Sequence, residues 1–414
     1  MRHKRRFWAL VLATVTVAFT FVGCNKPENS IDNNASTDNS IADDTTTDKD
    51  MTTGTEAPYT YEGIEAWDVE YEEYGGLTER DIMAFMASPD CDMDAYVHSP
   101  NGEFALVSQS LIDLSLGDIS SQENIDYWKA IGLDKECHDL EDPERQWTSF
   151  IPVSAHTSNE VYPVLFVWHG NDNPLLMAET YGFLEVAAKN EYIVVMPWAN
   201  NDDDYLEEFD RIFDYIKVNY PIDETRIYTT GFSKGGRVSA HLALERSNII
   251  AAAVANGTDA AAQFMTEDGE LQLTGPQALT PEDFAQAENA VPLQIWGGDC
   301  DVYHAMPYTV DYKVNAVNEW LTLYGHEANQ VLGAESSNDV ESKIGLTFDE
   351  VEIRNQDMAN SYIGTYYVDG KMVSRYICAE NAIHWPTQYM SELTFEFIGH
   401  YQKDISTGKT IVAE

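Results

Sequence analysis

The chain has 414 residues, 44% of them hydrophobic, which is enough apolar material for one large domain or two ordinary ones. Its 24 basic against 70 acidic side chains leave a formal charge of −46, which argues against nucleic acid and anionic lipid headgroups as electrostatic partners. The acidic residues are scattered rather than patterned, so they read as a solvated surface.

Residues 1–23 read as a secretory signal. Arg2, Lys4, Arg5 and Arg6 precede an apolar run from Phe7 to Val22, and at 16 residues this run is short for a spanning helix. Its ending, Phe21-Val-Gly-Cys24, resembles the lipobox of bacterial lipoproteins, in which the cysteine is lipidated and becomes the mature N-terminus. That resemblance implies a lipid anchor at Cys24 on the extracytoplasmic face of the cell membrane. A plain signal peptide or a single membrane anchor is the alternative. Residues 24–58, rich in Ser, Thr, Asn and Asp, cannot bury a core and read as a disordered tether. Cys91, Cys137, Cys300 and Cys378 are an even number that could pair outside the cytoplasm; their spacing matches no metal motif and leaves the pairing open.

Residues 59–146 read as an N-terminal extension. It carries a helical stretch near Leu77–Met86, an apolar stretch from Leu106 to Leu116, and a further helix over Asn124–Ile131. From residue 147 to 403 the pattern is regular. Strands are predicted over Trp147–Val153, Val161–Trp168, Tyr192–Trp198, Ile227–Thr230, Ile249–Ala255 and Val291–Trp296. Helices are predicted over Thr180–Asn190, Asp202–Tyr220, Arg237–Arg246 and Tyr308–Tyr324. Two further strands, Ile344–Ile353 and Ser361–Ala379, follow, the second folded on itself at Asp369-Gly370. A closing helix over Gln388–Gln402 leaves residues 404–414 as a tail. Alternating strands and helices predict an α/β domain with a mostly parallel sheet and helices on both faces, with its site at the carboxyl ends of the strands.

The chemistry is concentrated at Gly231-Phe-Ser-Lys-Gly235, a G-x-S-x-G sequence between a predicted strand and a predicted helix. Such a turn forces its serine into a strained backbone and presents the hydroxyl at the helix N-terminus. A serine hydroxyl needs a base, and the base needs a partner to fix its tautomer. Downstream of Ser233 come Asp299 and Asp301, just past a strand, and then His384, after a later strand. The order Ser, Asp, His is that of an α/β-hydrolase.

With His169-Gly170 after a strand, Ile227-Tyr-Thr-Thr-Gly-Phe-Ser-Lys-Gly-Gly236, and His384-Trp-Pro386, residues 147–403 resemble extracellular esterases of the polyhydroxybutyrate-depolymerase and feruloyl-esterase type. The resemblance implies the α/β-hydrolase fold, hydrolysis of carboxylic esters of polysaccharides or polyesters, and no metal or cofactor. By position it makes Ser233 the nucleophile, His384 the base and Asp301 or Asp299 the acid, and places the oxyanion hole at Gly170, Asn171 and Lys234. The acid of these esterases lies three residues past a glycine ending the strand; counted from Gly298 this favours Asp301. This chain departs from the pattern in having no residue between His384 and Trp385, and Trp296-Gly297-Gly298 where His-Gly precedes the acid. Lys234 stands where Asn or Met is common.

Other residues have plainer readings. His169 braces a loop, His241 packs or faces solvent inside its helix, and His304 is a weaker rival base. Trp168, Trp198, Trp296 and Trp385 belong to the core or line a cleft. Two other functions fit the same text: a serine peptidase, and a surface-binding lipoprotein that has lost its chemistry.

Overall fold

The apolar runs pair into one ten-stranded sheet. The computed structural model describes residues 122–413 apart from 141, 143–144, 171–181, 199–203, 260–263, 266–270, 273–278, 302–305, 337, 357–358 and 386–387, together with 70–71 and 77–78. The expected signal, the expected lipid-attachment residue Cys24 and the expected tether lie outside the described residues.

The strands are β1 Leu133–His138, β2 Trp147–Pro152, β3 Tyr162–Trp168, β4 Ile193–Pro197, β5 Ile222–Phe232, β6 Ala252–Asn256, β7 Leu293–Gly298, β8 Glu350–Gln356, β9 Ala359–Val368 and β10 Lys371–Ala379. They lie in the order β8-β9-β10-β7-β6-β5-β3-β4-β2-β1. The six from β10 to β4 run parallel, and antiparallel pairs close both edges. A mostly parallel sheet in this order, with helices between its strands, is the α/β-hydrolase fold.

Eight helices are described: α1 Gln122–Ala130, α2 Phe183–Asn190, α3 Tyr205–Asn219, α4 Lys234–Glu245, α5 Pro281–Gln286, α6 Asp311–Tyr324, α7 Asp339–Ile344 and α8 Gln388–Ile398. The parallel strands are apolar throughout because helices cover both faces. Side chains alternate between two cores, as the pleat demands. In β3, Val164, Phe166 and Trp168 join the core with α3, α4 and α6; Leu165 and Val167 join the one with α2 and α8.

The structure departs from the sequence reading in four places. Ile344–Ile353 is not one strand. Asn338 caps α7 by accepting the Glu341 amide at 2.9 Å, and Gly345, at φ +81°, stops the helix, so β8 begins only at Glu350. The closing helix ends at Ile398, and the expected tail is a hairpin, β11 Tyr401–Asp404 with β12 Lys409–Val412. Asp404 turns it by accepting the Ser406 amide and the Ser406 and Thr407 hydroxyls. The sheet takes in β1, from the stretch read as N-terminal extension, because β1 pairs antiparallel with β2. Leu77–Thr78 pairs antiparallel with Glu70–Tyr71 instead of opening a helix; the rest of that predicted helix lies outside the described residues. Among the described residues no helix is long and apolar enough to cross a membrane.

The hairpin is held to the sheet through Tyr228, whose hydroxyl donates to the Tyr401 carbonyl at 2.6 Å, and through Lys403. The Lys403 ammonium is buried and donates to the carbonyls of Ser247 and Gly408 at 2.6 and 3.1 Å. Burial pushes its pKa down to about 7. In the unfolded chain a lysine titrates near ~10.4, so between about pH 7 and pH 10 the unfolded state binds the additional proton. Stability is therefore expected to rise with pH across that window. Urea midpoints at pH 7 and pH 9 should move apart in the wild type and much less in Lys403→Met; parallel shifts in the two proteins would show that Lys403 is not the source.

Candidate active site

The turn between β5 and α4 is built on contacts that admit no side chain. A Cβ on Gly235 would lie 1.9 Å from the Trp168 carbonyl oxygen, and one on Gly231 would lie 2.4 Å from the Gly235 carbonyl. Gly236 passes somewhat less closely by Asn256, where a Cβ would meet the carbonyl oxygen at 2.8 Å. Between these glycines Ser233 adopts φ +54°, ψ −115°, a region non-glycine residues occupy only under constraint. Its own amide is anchored on the Asn256 carbonyl at 2.8 Å. Beneath it runs a buried hydrogen-bond chain: Trp168 Nε1 donates to Thr229 (3.1 Å), Thr229 to Ser239 (3.2 Å), and Ser239 to the Gly235 carbonyl (3.0 Å). Each hydroxyl in it gives one bond and receives one, so no polar group is stranded.

Ser233 Oγ lies 3.0 Å from His384 Nε2, and His384 Nδ1 lies 2.9 Å from Asp301 Oδ2. A carboxylate only accepts, so Nδ1 carries the proton and donates to Asp301, which leaves the Nε2 lone pair to receive the serine proton. Asp301 is 0% exposed, His384 8%, and Ser233 is half-buried, so the hydroxyl faces the accessible side of the relay. The Phe232 ring packs against the imidazole at 4.9 Å between centroids.

The loops carrying acid and base are joined to each other. The Cys300 amide donates to the Ala382 carbonyl at 3.0 Å, and the Asp299 amide to the Ala379 carbonyl at 3.2 Å. Asp299 does not touch the imidazole. Its Oδ1 accepts the Asn381 amide at 2.8 Å and its Oδ2 accepts Lys343 Nζ at 2.7 Å. Of the two competing aspartates, Asp301 is thus the partner of His384, and Asp299 fastens the histidine loop to the end of β7. Cys300, between them, is disulfide-bonded, whereas Cys137 and Cys378 carry no disulfide. A bracing role for Asp299 at the turn is within the sequence reading, but its partners Lys343 and Asn381 are not; the available signal was Gly298, whose Cβ would meet the Ala382 carbonyl oxygen at 1.9 Å.

Of the expected oxyanion-hole residues, Gly170 is buried just past the end of β3, and Lys234 is the first residue of α4, so its amide has no acceptor inside the helix. Asn171 and the rival base His304 lie outside the described residues. His169 braces a loop, as expected: its Nε2–H donates to the Trp198 carbonyl at 2.9 Å. Trp168 and Trp296 are core residues, whereas Trp198 and Trp385 are half-buried.

No protein-family model matches the chain. A feruloyl esterase D of Neurospora crassa is 26% identical over 160 residues, which cover 31% of this chain. The match spans 55% of that relative's length. Among solved structures, an acetyl xylan esterase of Aspergillus awamori aligns with a TM-score of 0.43 and 14% identity, covering 64% of this chain and 99% of its own. A ferulic acid esterase of Anaeromyces mucronatus, solved with ferulic acid, aligns with a TM-score of 0.36 and 20% identity, covering 47% of this chain and 80% of its own.

The glycine contacts separate two kinds of glycine. Gly298→Ala drives a Cβ into backbone and should cost ~3 kcal/mol or more. Gly370→Ala, at φ +74° with no atom within 4 Å, should cost only about 1–2 kcal/mol. Calorimetric unfolding of both variants tests this; equal losses would mean that the β7 end and the histidine loop are not in the contact described.

Proposed function

We propose that the chain is an extracytoplasmic serine hydrolase that cleaves carboxylic esters, with Ser233 as nucleophile, His384 as general base and Asp301 as the carboxylate that orients the imidazole. The observation that carries this reading is the relay from Ser233 Oγ through His384 to Asp301, with links of 3.0 and 2.9 Å, set on a serine held at φ +54°. As Oγ attacks an acyl carbon, Nε2 takes its proton, and the buried carboxylate stabilises the imidazolium that results. The same proton then passes to the leaving alcohol, and a water repeats the sequence to release the acid. The Lys234 amide at the start of α4, with main-chain groups following Gly170, would receive the charge that develops on the carbonyl oxygen. The steps require only side chains, main-chain amides and the hydrolytic water.

The likeness to a feruloyl esterase favours an ester over an amide, and an acyl group on a plant cell-wall polysaccharide as the substrate class. The basic-apolar start of the chain, ending in Gly23-Cys24 and followed by the polar stretch 24–58, supports a lipid anchor that holds the domain off a membrane surface.

Turnover of a chromogenic short-chain acyl ester should fall on the order of 10³-fold or more in Ser233→Ala, and fluorophosphonate labelling should disappear. Asp301→Asn should lose about 10⁴-fold, whereas Asp299→Asn, whose side chain is one bridge removed from the imidazole, should stay within about tenfold of the wild type. A severe loss in Asp299→Asn with near-normal Asp301→Asn would reverse their roles. Faster cleavage of aminoacyl amides than of esters would make the chain a peptidase. A folded protein with neither turnover nor label would make it a binding protein.

The anchor has its own test. Cys24→Ser should release the protein from membranes or block its processing. Intact-mass analysis of the mature protein should show an N-terminal lipidated cysteine; cleavage elsewhere with no lipid would rule the anchor out.

A further inference from the structure

α4 carries a second cluster of chemistry-bearing side chains, away from the serine that precedes it. His241 lies eight residues past Ser233, about 12 Å along the helix axis. Glu245 is one turn further on, and Asp283 reaches the same point from α5. His241 Nε2 lies 3.6 Å from Asp283 Oδ1 and 4.0 Å from Glu245 Oε1, and the three donor atoms fall within 4.8 Å of one another.

These separations are too long for hydrogen bonds. They are close to the ~3.4 Å between two donors on a tetrahedral ion with ~2.0–2.1 Å bonds. His241 is 6% exposed, and its Nε2, buried between the two carboxylates, makes no hydrogen bond. A buried nitrogen aimed at two oxygens that it does not bond is unusual, because buried polar atoms are nearly always satisfied.

The surroundings hold each donor in place. Nδ1 of His241 faces the Tyr205 hydroxyl, which fixes the ring orientation from behind. Asp283 Oδ2 is taken up by the amide and hydroxyl of Thr280, at 2.6 and 2.8 Å, in the capping box that starts α5, so Oδ1 is left pointing at the imidazole. Among the described residues neither carboxylate is paired with a lysine or arginine. The nearby Arg246 is engaged by Asp210 at 2.7 and 2.8 Å.

We propose that His241, Glu245 and Asp283 bind one divalent transition-metal ion, Zn²⁺ in the first instance, which ties α4 to α5. Two carboxylates balance the charge of such an ion. One imidazole nitrogen with two carboxylate oxygens suits Zn²⁺ or Co²⁺ better than Ca²⁺ or Mg²⁺, which take oxygen donors. Glu245 and Asp283 are partly exposed, and Glu245 lines a surface cleft with Arg246, Ser247 and Gln286, which gives the ion a way in and a water to complete its coordination.

The test uses the full chain after treatment with a chelator. Calorimetric titration with Zn²⁺ should show one saturable site, and unfolding at about 100-fold excess over Kd should occur about 5 °C higher than without metal. Co²⁺ should give the visible ligand-field band of a tetrahedral site. Glu245→Gln keeps the volume of the side chain and should weaken binding at least about tenfold. His241→Gln should abolish the Co²⁺ band. Absence of saturable uptake, uptake unchanged in both variants, or tighter binding of Ca²⁺ than of Zn²⁺ would each overturn the proposal. Ser233→Ala should bind Zn²⁺ as the wild type does; a loss of uptake in that variant would place the ion at the serine instead and overturn the proposal as well.

Discussion

The close approach of α4 to the ends of β3 and β6 is the constraint on which the rest depends. Gly235 sits where a single methyl group would overlap the Trp168 carbonyl, and a Cβ on Gly236 would crowd the Asn256 carbonyl. With any side chain at these positions α4 would stand away from the sheet. The turn could then no longer hold Ser233 at a positive φ, because that backbone is kept only by surroundings that allow nothing else. The chain from Trp168 through Thr229 and Ser239 to the Gly235 carbonyl makes the approach attractive as well as permitted.

A parallel sheet then solves the problem of distance. Asp301 and His384 are 83 residues apart, and Ser233 and His384 are 151 apart. All three follow parallel strands, so their loops leave the sheet at one edge. β7 and β10 are direct neighbours, with Gly298 opposite Ala379, and the acid and base loops grow from that pair. Asp299, on the Asn381 amide, and the Ala382 carbonyl, on the Cys300 amide, join the two loops, so the imidazole is positioned by short, hydrogen-bonded segments rather than by a long free loop.

α4 serves two regions with different surroundings. Its N-terminus follows a half-buried hydroxyl, that of Ser233, and begins with main-chain amides that have no acceptor inside the helix. Its third turn presents a buried imidazole to two carboxylates. Both arise from a helix whose residues from Gly235 to Leu244 are all buried, so every polar group on it must find a partner or a ligand.

The strands and helices were legible in the sequence wherever the pattern was local. Continuous apolar runs announced the parallel strands, helical spacing announced α3, and the glycines around Ser233 announced the turn, because the period of burial and the tolerance for positive φ are written residue by residue. α7 and the closing hairpin were missed because caps and Asx turns, at Asn338, Gly345 and Asp404, redirect a chain whose apolar content alone looks like strand or helix. The order Ser, Asp, His was also in the sequence, but which aspartate meets the imidazole was decided by register. Asp299 and Asp301 are two residues apart and chemically identical. Only the pairing of β7 with β10, and the direction in which the chain leaves Gly298, turn one toward His384 and the other toward Lys343 and Asn381. The cluster at His241 was equally beyond local reading. Glu245 lies within its own helix, but Asp283 comes from another, and only packing brings a lone histidine and a helix-capping aspartate to the same point.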